Sequence, residues 1–141
     1  MTEITQTMNE LIDGYVKGLS TGKLMIPRCN ECHEWNWYPR EMCLRCGSSD
    51  RGLVEVRPEG TVFSWTRVQR ALPPVQELET PYVILLVELS EANGVRVPCR
   101  AANTNVDPII GQSIGLRMSS SKPPYLIGVD VLAVDDDIRS D

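Results

Sequence analysis

Four of the five cysteines in this 141-residue chain are packed into one short stretch, as Cys29-x-x-Cys32 and Cys43-x-x-Cys46. Each Cys-x-x-Cys places two thiols on one tight turn, and two such turns supply the corners of a tetrahedral all-sulfur site. An N-terminus that is polar and mildly acidic over Met1–Asn9, without the basic-then-apolar pattern of a secretory signal, predicts a cytoplasmic address. In that reducing setting the spacing points to metal and not to disulfides. Four sulfur ligands close the shell and leave no position for substrate. The expected metal is therefore structural Zn2+, held by Cys29, Cys32, Cys43 and Cys46. Iron fits the same tetrahedral sulfur geometry, so the residues leave that choice open.

The residues around the cysteines follow from this expectation. A tetrathiolate zinc site carries a net charge of about −2, and Arg28, Arg40 and Arg45 stand beside the knuckles to offset it. Gly47 follows the second knuckle, where the backbone turns its amides toward sulfur. His33 follows the first knuckle and, with four thiols available, is expected at the surface. Trp35, Trp37 and Tyr38 admit two readings, a cover for the metal site or an aromatic platform for a ligand or partner.

Outside this region the pattern is a helix and then β-structure. Ile4, Met8, Leu11, Ile12, Tyr15, Val16 and Leu19 form one helical stripe over residues 1–22. Thr2 or Thr5 would cap it, and Gly18 with Gly22 would stop it. The stripe either packs on its own domain or docks on a partner subunit. From residue 53 strands follow: Leu53–Arg57, Thr61–Arg70, Tyr82–Leu89, Val95–Ala101, a stretch about Ile114–Met118, and Tyr125–Val134. Asn93-Gly94 marks a hairpin turn, and Pro58-Glu59-Gly60 another. Val95, Val97, Cys99 and Ala101 alternate with Arg96, Pro98 and Arg100. That places Cys99 on an inward face, where a free thiol behaves as a small apolar group. Phe63, Trp65 and Arg67 share a face at the barrel core or mouth. The organisation predicted is mainly β: an N-terminal amphipathic helix (1–22), a zinc ribbon (23–52), a five-stranded OB-type barrel (53–135) and an acidic tail (136–141). A sandwich would need about seven strands, which are hard to fit.

Charge and composition narrow the function. Fourteen Lys and Arg against 19 Asp and Glu leave a net charge of −5, and aromatics make up 6%. Binding to polyanions needs clustered cations, so a nucleic-acid partner is disfavoured. The longest purely apolar run, Tyr82–Val87, is far short of the roughly 20 residues that a membrane helix needs. One histidine, one inward-facing spare thiol and a closed metal shell leave no catalytic constellation. No catalytic residue is therefore expected on this chain.

The order of motifs resembles a known family. A helix leads into Gly22-Lys23-Leu24-Met25-Ile26-Pro27-Arg28-Cys29-x-x-Cys32, followed by Tyr38-Pro39-Arg40 and Cys43-x-x-Cys46-Gly47-Ser48. Then come Gly60-Thr61-Val62-Phe63-Ser64-Trp65-Thr66, a Pro-bearing loop, Pro81-Tyr82-Val83-Ile84-Leu85-Leu86-Val87-Glu88-Leu89, and Ile110-Gly111-Gln112-Ser113-Ile114-Gly115-Leu116. From about residue 10 to about residue 134 this is similar to the DUF35 family, a rubredoxin-like zinc ribbon joined to an OB-fold and associated with acyl-CoA. The resemblance implies a non-catalytic accessory subunit of a thiolase-superfamily enzyme. Such a subunit braces its partner and helps shape the CoA or acyl channel during condensation, thiolysis, acyl transfer or retro-aldol cleavage. Family members also partner hydratase-like proteins that act on acyl-CoA. Val97-Pro98-Cys99 and Pro124-Tyr125-Leu126-Ile127-Gly128 depart from the family pattern at positions that bear on acyl preference. On this reading Arg67 and Arg70 contact CoA phosphates, and loop Ala71–Pro81 borders the partner's active-site entrance. The alternative class is a single-stranded nucleic-acid-binding zinc-ribbon/OB protein.

Overall fold

The computed structural model describes residues 6–70, 80–103, 105–118 and 126–130. Helix α1 spans Met8–Ser20. Its cap is Thr7, not Thr2 or Thr5, which lie outside the described residues along with Ile4. The reason is local: only Thr7 has a glutamate three residues on. The Glu10 N–H donates to Thr7 Oγ1 (3.2 Å) and the Thr7 N–H donates to Glu10 Oε1 (2.9 Å), a reciprocal capping box. Gly18 does not stop the helix. It lies within it, buried, and the stop falls at Thr21-Gly22.

The stripe of α1 packs on the chain's own ribbon. Strands β1 (Leu24–Cys29) and β2 (Arg51–Val56) pair antiparallel, with Leu24 opposite Val56 and Cys29 opposite Arg51. Leu11 and Leu19 of the helix are fully buried, and Tyr15 packs against Trp37 with ring centroids 4.6 Å apart and planes tilted by 46°. Leu11 and Leu19 thus serve the chain's own core, while Met8 and Ile12 stay half-buried and Val16 is exposed. The strand expected at Leu53–Arg57 starts two residues earlier and pairs with β1, not with the barrel strands.

The barrel is closed by five strands: β3 (Glu59–Val68), β4 (Tyr82–Leu89), β5 (Arg96–Ala101), β6 (Ser113–Met118) and β7 (Leu126–Asp130). Their order around the barrel is β3-β4-β5-β7-β6, with β6 returning to β3. All neighbours are antiparallel except β5 and β7. The alternation read in β5 holds: Val97, Cys99 and Ala101 are buried, while Arg96 and Pro98 are exposed. In β4, Val83, Leu85, Val87 and Leu89 point into the same core. Gly94 turns the β4–β5 hairpin with φ of 83°. Gly60, expected in a turn, is instead buried within β3, where a Cβ would overlap the Glu88 carbonyl of β4.

Phe63 departs from the expected inward face. Val62 pairs with Val87 and Ser64 with Leu86, so Phe63 is the extra residue of a β-bulge. A bulge swaps which residues face inward, so Val62 is buried before it and Trp65 packs on the core after it. Phe63 is left outside, 44% exposed, with the Arg96 guanidinium 3.7 Å above its ring. The core is continuous from ribbon to barrel, running from Leu24, Ile26 and Val56 through Val62, Val87 and Val97 to Ile114 and Leu116.

Candidate metal centre

The two knuckles are built to the same local plan. In the first, the Cys29 N–H donates to the Glu34 carbonyl (2.9 Å) and the His33 N–H to the Cys29 carbonyl (3.1 Å). In the second, the Cys43 N–H donates to the Ser48 carbonyl (2.8 Å) and the Gly47 N–H to the Cys43 carbonyl (2.8 Å). Closing such a turn requires a left-handed residue just after the second cysteine. Gly47 adopts φ of 81° there, and His33 adopts 65° at the equivalent place. Left-handed backbone costs a non-glycine residue roughly 1–2 kcal/mol. His33 is thus an exposed turn residue, as its surface reading expects.

These turns bring four sulfurs together. Cys29 Sγ lies 3.6 Å from Cys46 Sγ, Cys32 Sγ lies 3.6 Å from Cys43 Sγ, and all four fall within 4.8 Å of one another. Four sulfurs about 2.3 Å from one ion would sit about 3.8 Å apart, so the cluster is the size of a tetrahedral thiolate site. None of the five cysteines is in a disulfide.

The electrostatics split the four thiols into two pairs. Burial opposes ionisation of Cys43, but its sulfur accepts from the backbone amides of Cys46 and Arg45 and from the side chain of Asn36. Together they carry the thiol down to about 6. Cys29 is lowered in the same way, burial being outweighed by the amides of Cys32 and Glu31. Cys32 and Cys46 are raised, Cys32 to about 12. The amides of Glu34 and Ser48 favour their thiolates, but burial and the neighbouring sulfurs prevail. Metal uptake must displace whatever protons the four thiols hold, so affinity falls as pH falls.

Among the described residues, the side chains of the arginines nearest in sequence do not donate to a sulfur. Arg28 lies over the Trp35 ring at 4.7 Å and donates to the His33 carbonyl. Arg45 pairs with Glu34 at the surface, and Arg40 is exposed. Asn36 reaches the Cys43 sulfur instead, with the fully buried Arg51 behind it, and no sequence motif marked either. Arg51 Nη1 donates to Asn36 Oδ1 (3.3 Å), and Asn36 Nδ2 donates to Cys43 Sγ (3.5 Å). Both residues reach the site through the fold, Arg51 as the strand partner of Cys29.

Of the three aromatics, Trp35 and Trp37 pack against the core as a cover, leaving only Tyr38 well exposed. Tyr38, Met42 and Leu44 border a groove of about 390 Å³ between the second knuckle and the Asn93–Val95 hairpin. Arg67 and Arg70 are not part of the cysteine cluster. Arg67 lies against Trp65 and pairs with Asp107 at 2.8 Å, while Arg70 is exposed just past β3. Residues 71–79 of the loop expected to border an active site lie outside the described residues. Cys99 is fully buried, and burial pushes its thiol up to about 12 despite a hydrogen bond from the Gly128 backbone. A thiol so held is protonated and inert at neutral pH.

Comparison with known proteins matches both halves of the chain. Residues 16–50 fit the ChsH2 rubredoxin-like zinc ribbon domain, and residues 53–120 fit the ChsH2 C-terminal OB-fold domain. Among solved structures, a chain from an "Ltp2-ChsH2(DUF35) aldolase" is 29% identical with a TM-score of 0.69, covering 83% of this chain and 90% of that one. A DUF35 protein of unknown function from Sulfolobus solfataricus shares the fold at 22% identity and a TM-score of 0.60, covering 84% of this chain and 83% of that one. A Thermomonospora curvata protein named "Probable enoyl-CoA hydratase alpha subunit" is 33% identical over 76% of this chain. The chain spans about a third of that relative's length (33%).

Proposed function

The chain belongs to the DUF35 family, pairing a ChsH2-type zinc ribbon with a ChsH2-type OB-fold, and from that premise we propose that it is a zinc-binding, non-catalytic subunit of a thiolase-superfamily acyl-CoA enzyme. The observation that carries this reading is the near full-length similarity to the ChsH2(DUF35) chain of an aldolase complex. Cys29, Cys32, Cys43 and Cys46 hold structural Zn2+, whose binding energy is folding energy for the ribbon. A closed four-sulfur shell braces the scaffold and offers no position to substrate.

The division of labour follows from what the chain's own residues can do. Its fifth thiol is buried and protonated, and its histidine closes a turn at the surface. The reacting groups then belong to the partner, in a reaction that forms or breaks a bond on an acyl-CoA. With Leu11 and Leu19 turned into the chain's own core, the partner contact falls on apolar surface that remains open, including Tyr38, Met42 and Leu44 (82% exposed). Arg67 and Arg70 border the CoA phosphates, Arg67 exchanging its exposed Asp107 partner for phosphate.

The test is co-expression with a thiolase-superfamily protein encoded beside this chain. Copurification of the two, acyl-CoA turnover only by the pair, and loss of copurification in Leu44→Glu are the expected results. Turnover by this chain alone, abolished by Cys99→Ala, would overturn the non-catalytic reading. The name of the Thermomonospora relative favours a second partner class, an acyl-CoA hydratase subunit, and hydration of an enoyl-CoA by the complex would select it.

A further inference from the structure

Arg51 is the only charged residue among the described residues that is buried. None of the ion pairs among those residues involves it. A cation taken out of water costs several kcal/mol unless its field and its donors are answered. Its donors are answered by oxygens alone: Nε donates to the Ser49 carbonyl (3.2 Å), Nη1 to Asn36 Oδ1 (3.3 Å) and Nη2 to the Gln6 carbonyl (3.5 Å). No carboxylate stands among these partners, and the group on the far side of Asn36 is the Cys43 sulfur.

The chemistry of the two side chains sets their order. A guanidinium has donors only, so it draws the oxygen end of the Asn36 amide toward itself. The NH2 end is thereby aimed away, at Cys43 Sγ (3.5 Å) and the Glu34 carbonyl (3.0 Å). The third arm of the same arginine holds the residue just before the cap of α1. The helix is tied to this knuckle a second time, since the Met8 N–H donates to Glu41 Oε1 (3.2 Å), two residues before Cys43. We infer that Arg51 is a positioning residue for the metal centre: it orients Asn36 to donate to the Cys43 thiolate and links that thiolate to the docked start of helix α1. This rests on the four-cysteine zinc reading proposed above.

The experiment measures zinc retention in the full-length chain, by competition with a chromophoric chelator, for the wild type, Asn36→Leu, Arg51→Met and the double variant. Outer-shell partners of this kind typically change metal affinity by about 10–100-fold. Each single variant is expected to lose at least tenfold. The double variant is expected to lose no more than the larger single effect, because both act through one bond to sulfur. In the cobalt-substituted protein the thiolate-to-metal absorption should shift in Asn36→Leu and Arg51→Met alike, a signature that a purely packing role would not move. A loss below tenfold in Asn36→Leu overturns the inference, as does multiplication of the two losses in the double variant. If Arg51→Met fails to fold, Asn36→Leu decides alone by the same threshold. A wild type that binds no metal would instead refute the zinc reading itself.

Discussion

At the scale of the residue, the left-handed turn at His33 has a direct consequence. Gly47 fills the equivalent position in the other knuckle without penalty, so His33→Gly relieves about 1 kcal/mol of backbone cost, partly offset by the freedom glycine brings to the unfolded chain. The variant should keep full metal content and unfold at equal or higher urea; loss of metal would make His33 a ligand. Cys99 and Tyr15 carry the alkaline limit. Burial raises both, Cys99 from an ordinary 9.0 to about 12, with Tyr15 raised further by the nearby thiol. A raised folded-state value means that the contribution is complete below about pH 9 and is lost as pH rises toward 12. Unfolding free energy should therefore decline above pH 9, and more gently in Cys99→Ala than in the wild type. Equal slopes in the two proteins would contradict the burial account.

At the scale of the element, the cysteine spacing and the β5 alternation were legible because each is a local pattern with one physical meaning. The capping box was equally local, since Thr7-x-x-Glu10 stands in the chain while Thr2 and Thr5 lack the glutamate. The bulge at Phe63 was not legible, because inward parity depends on which β4 residue each β3 residue meets. Arg51 and Asn36 were hidden for a related reason: strand pairing and burial assign their roles, and arginine and asparagine are ordinary in any turn-rich segment. The helix stripe was ambiguous in sequence, and the ribbon buries its Leu11 and Leu19. Leu11→Ala should then cost about 2–5 kcal/mol, as for any fully buried leucine, read as a lower urea midpoint. An unchanged midpoint would return the helix to the role of a partner-docking arm. Gly60→Ala should destabilise the barrel severely, since its Cβ would meet the rigid Glu88 backbone of β4. A thermal midpoint within about 2 °C of wild type would show that β3 and β4 can separate there without loss.

At the scale of the molecule, helix, ribbon and barrel share one hydrophobic core, with Leu19, Ile26 and Val97 in the same cluster. A metal that organises the ribbon therefore steadies the barrel as well. Among the described residues no helix is long and apolar enough to cross a membrane. The proposed division places a zinc-braced scaffold on this chain and the reacting groups on another. The most direct test is to mix purified chain and a thiolase-superfamily partner at known ratios, assaying acyl-CoA turnover and bound zinc together. The account predicts one zinc per chain, no turnover by this chain alone, and activity that saturates with the partner and is lost in Cys43→Ser. Full partner activity in the absence of this chain, or turnover by this chain by itself, would contradict it.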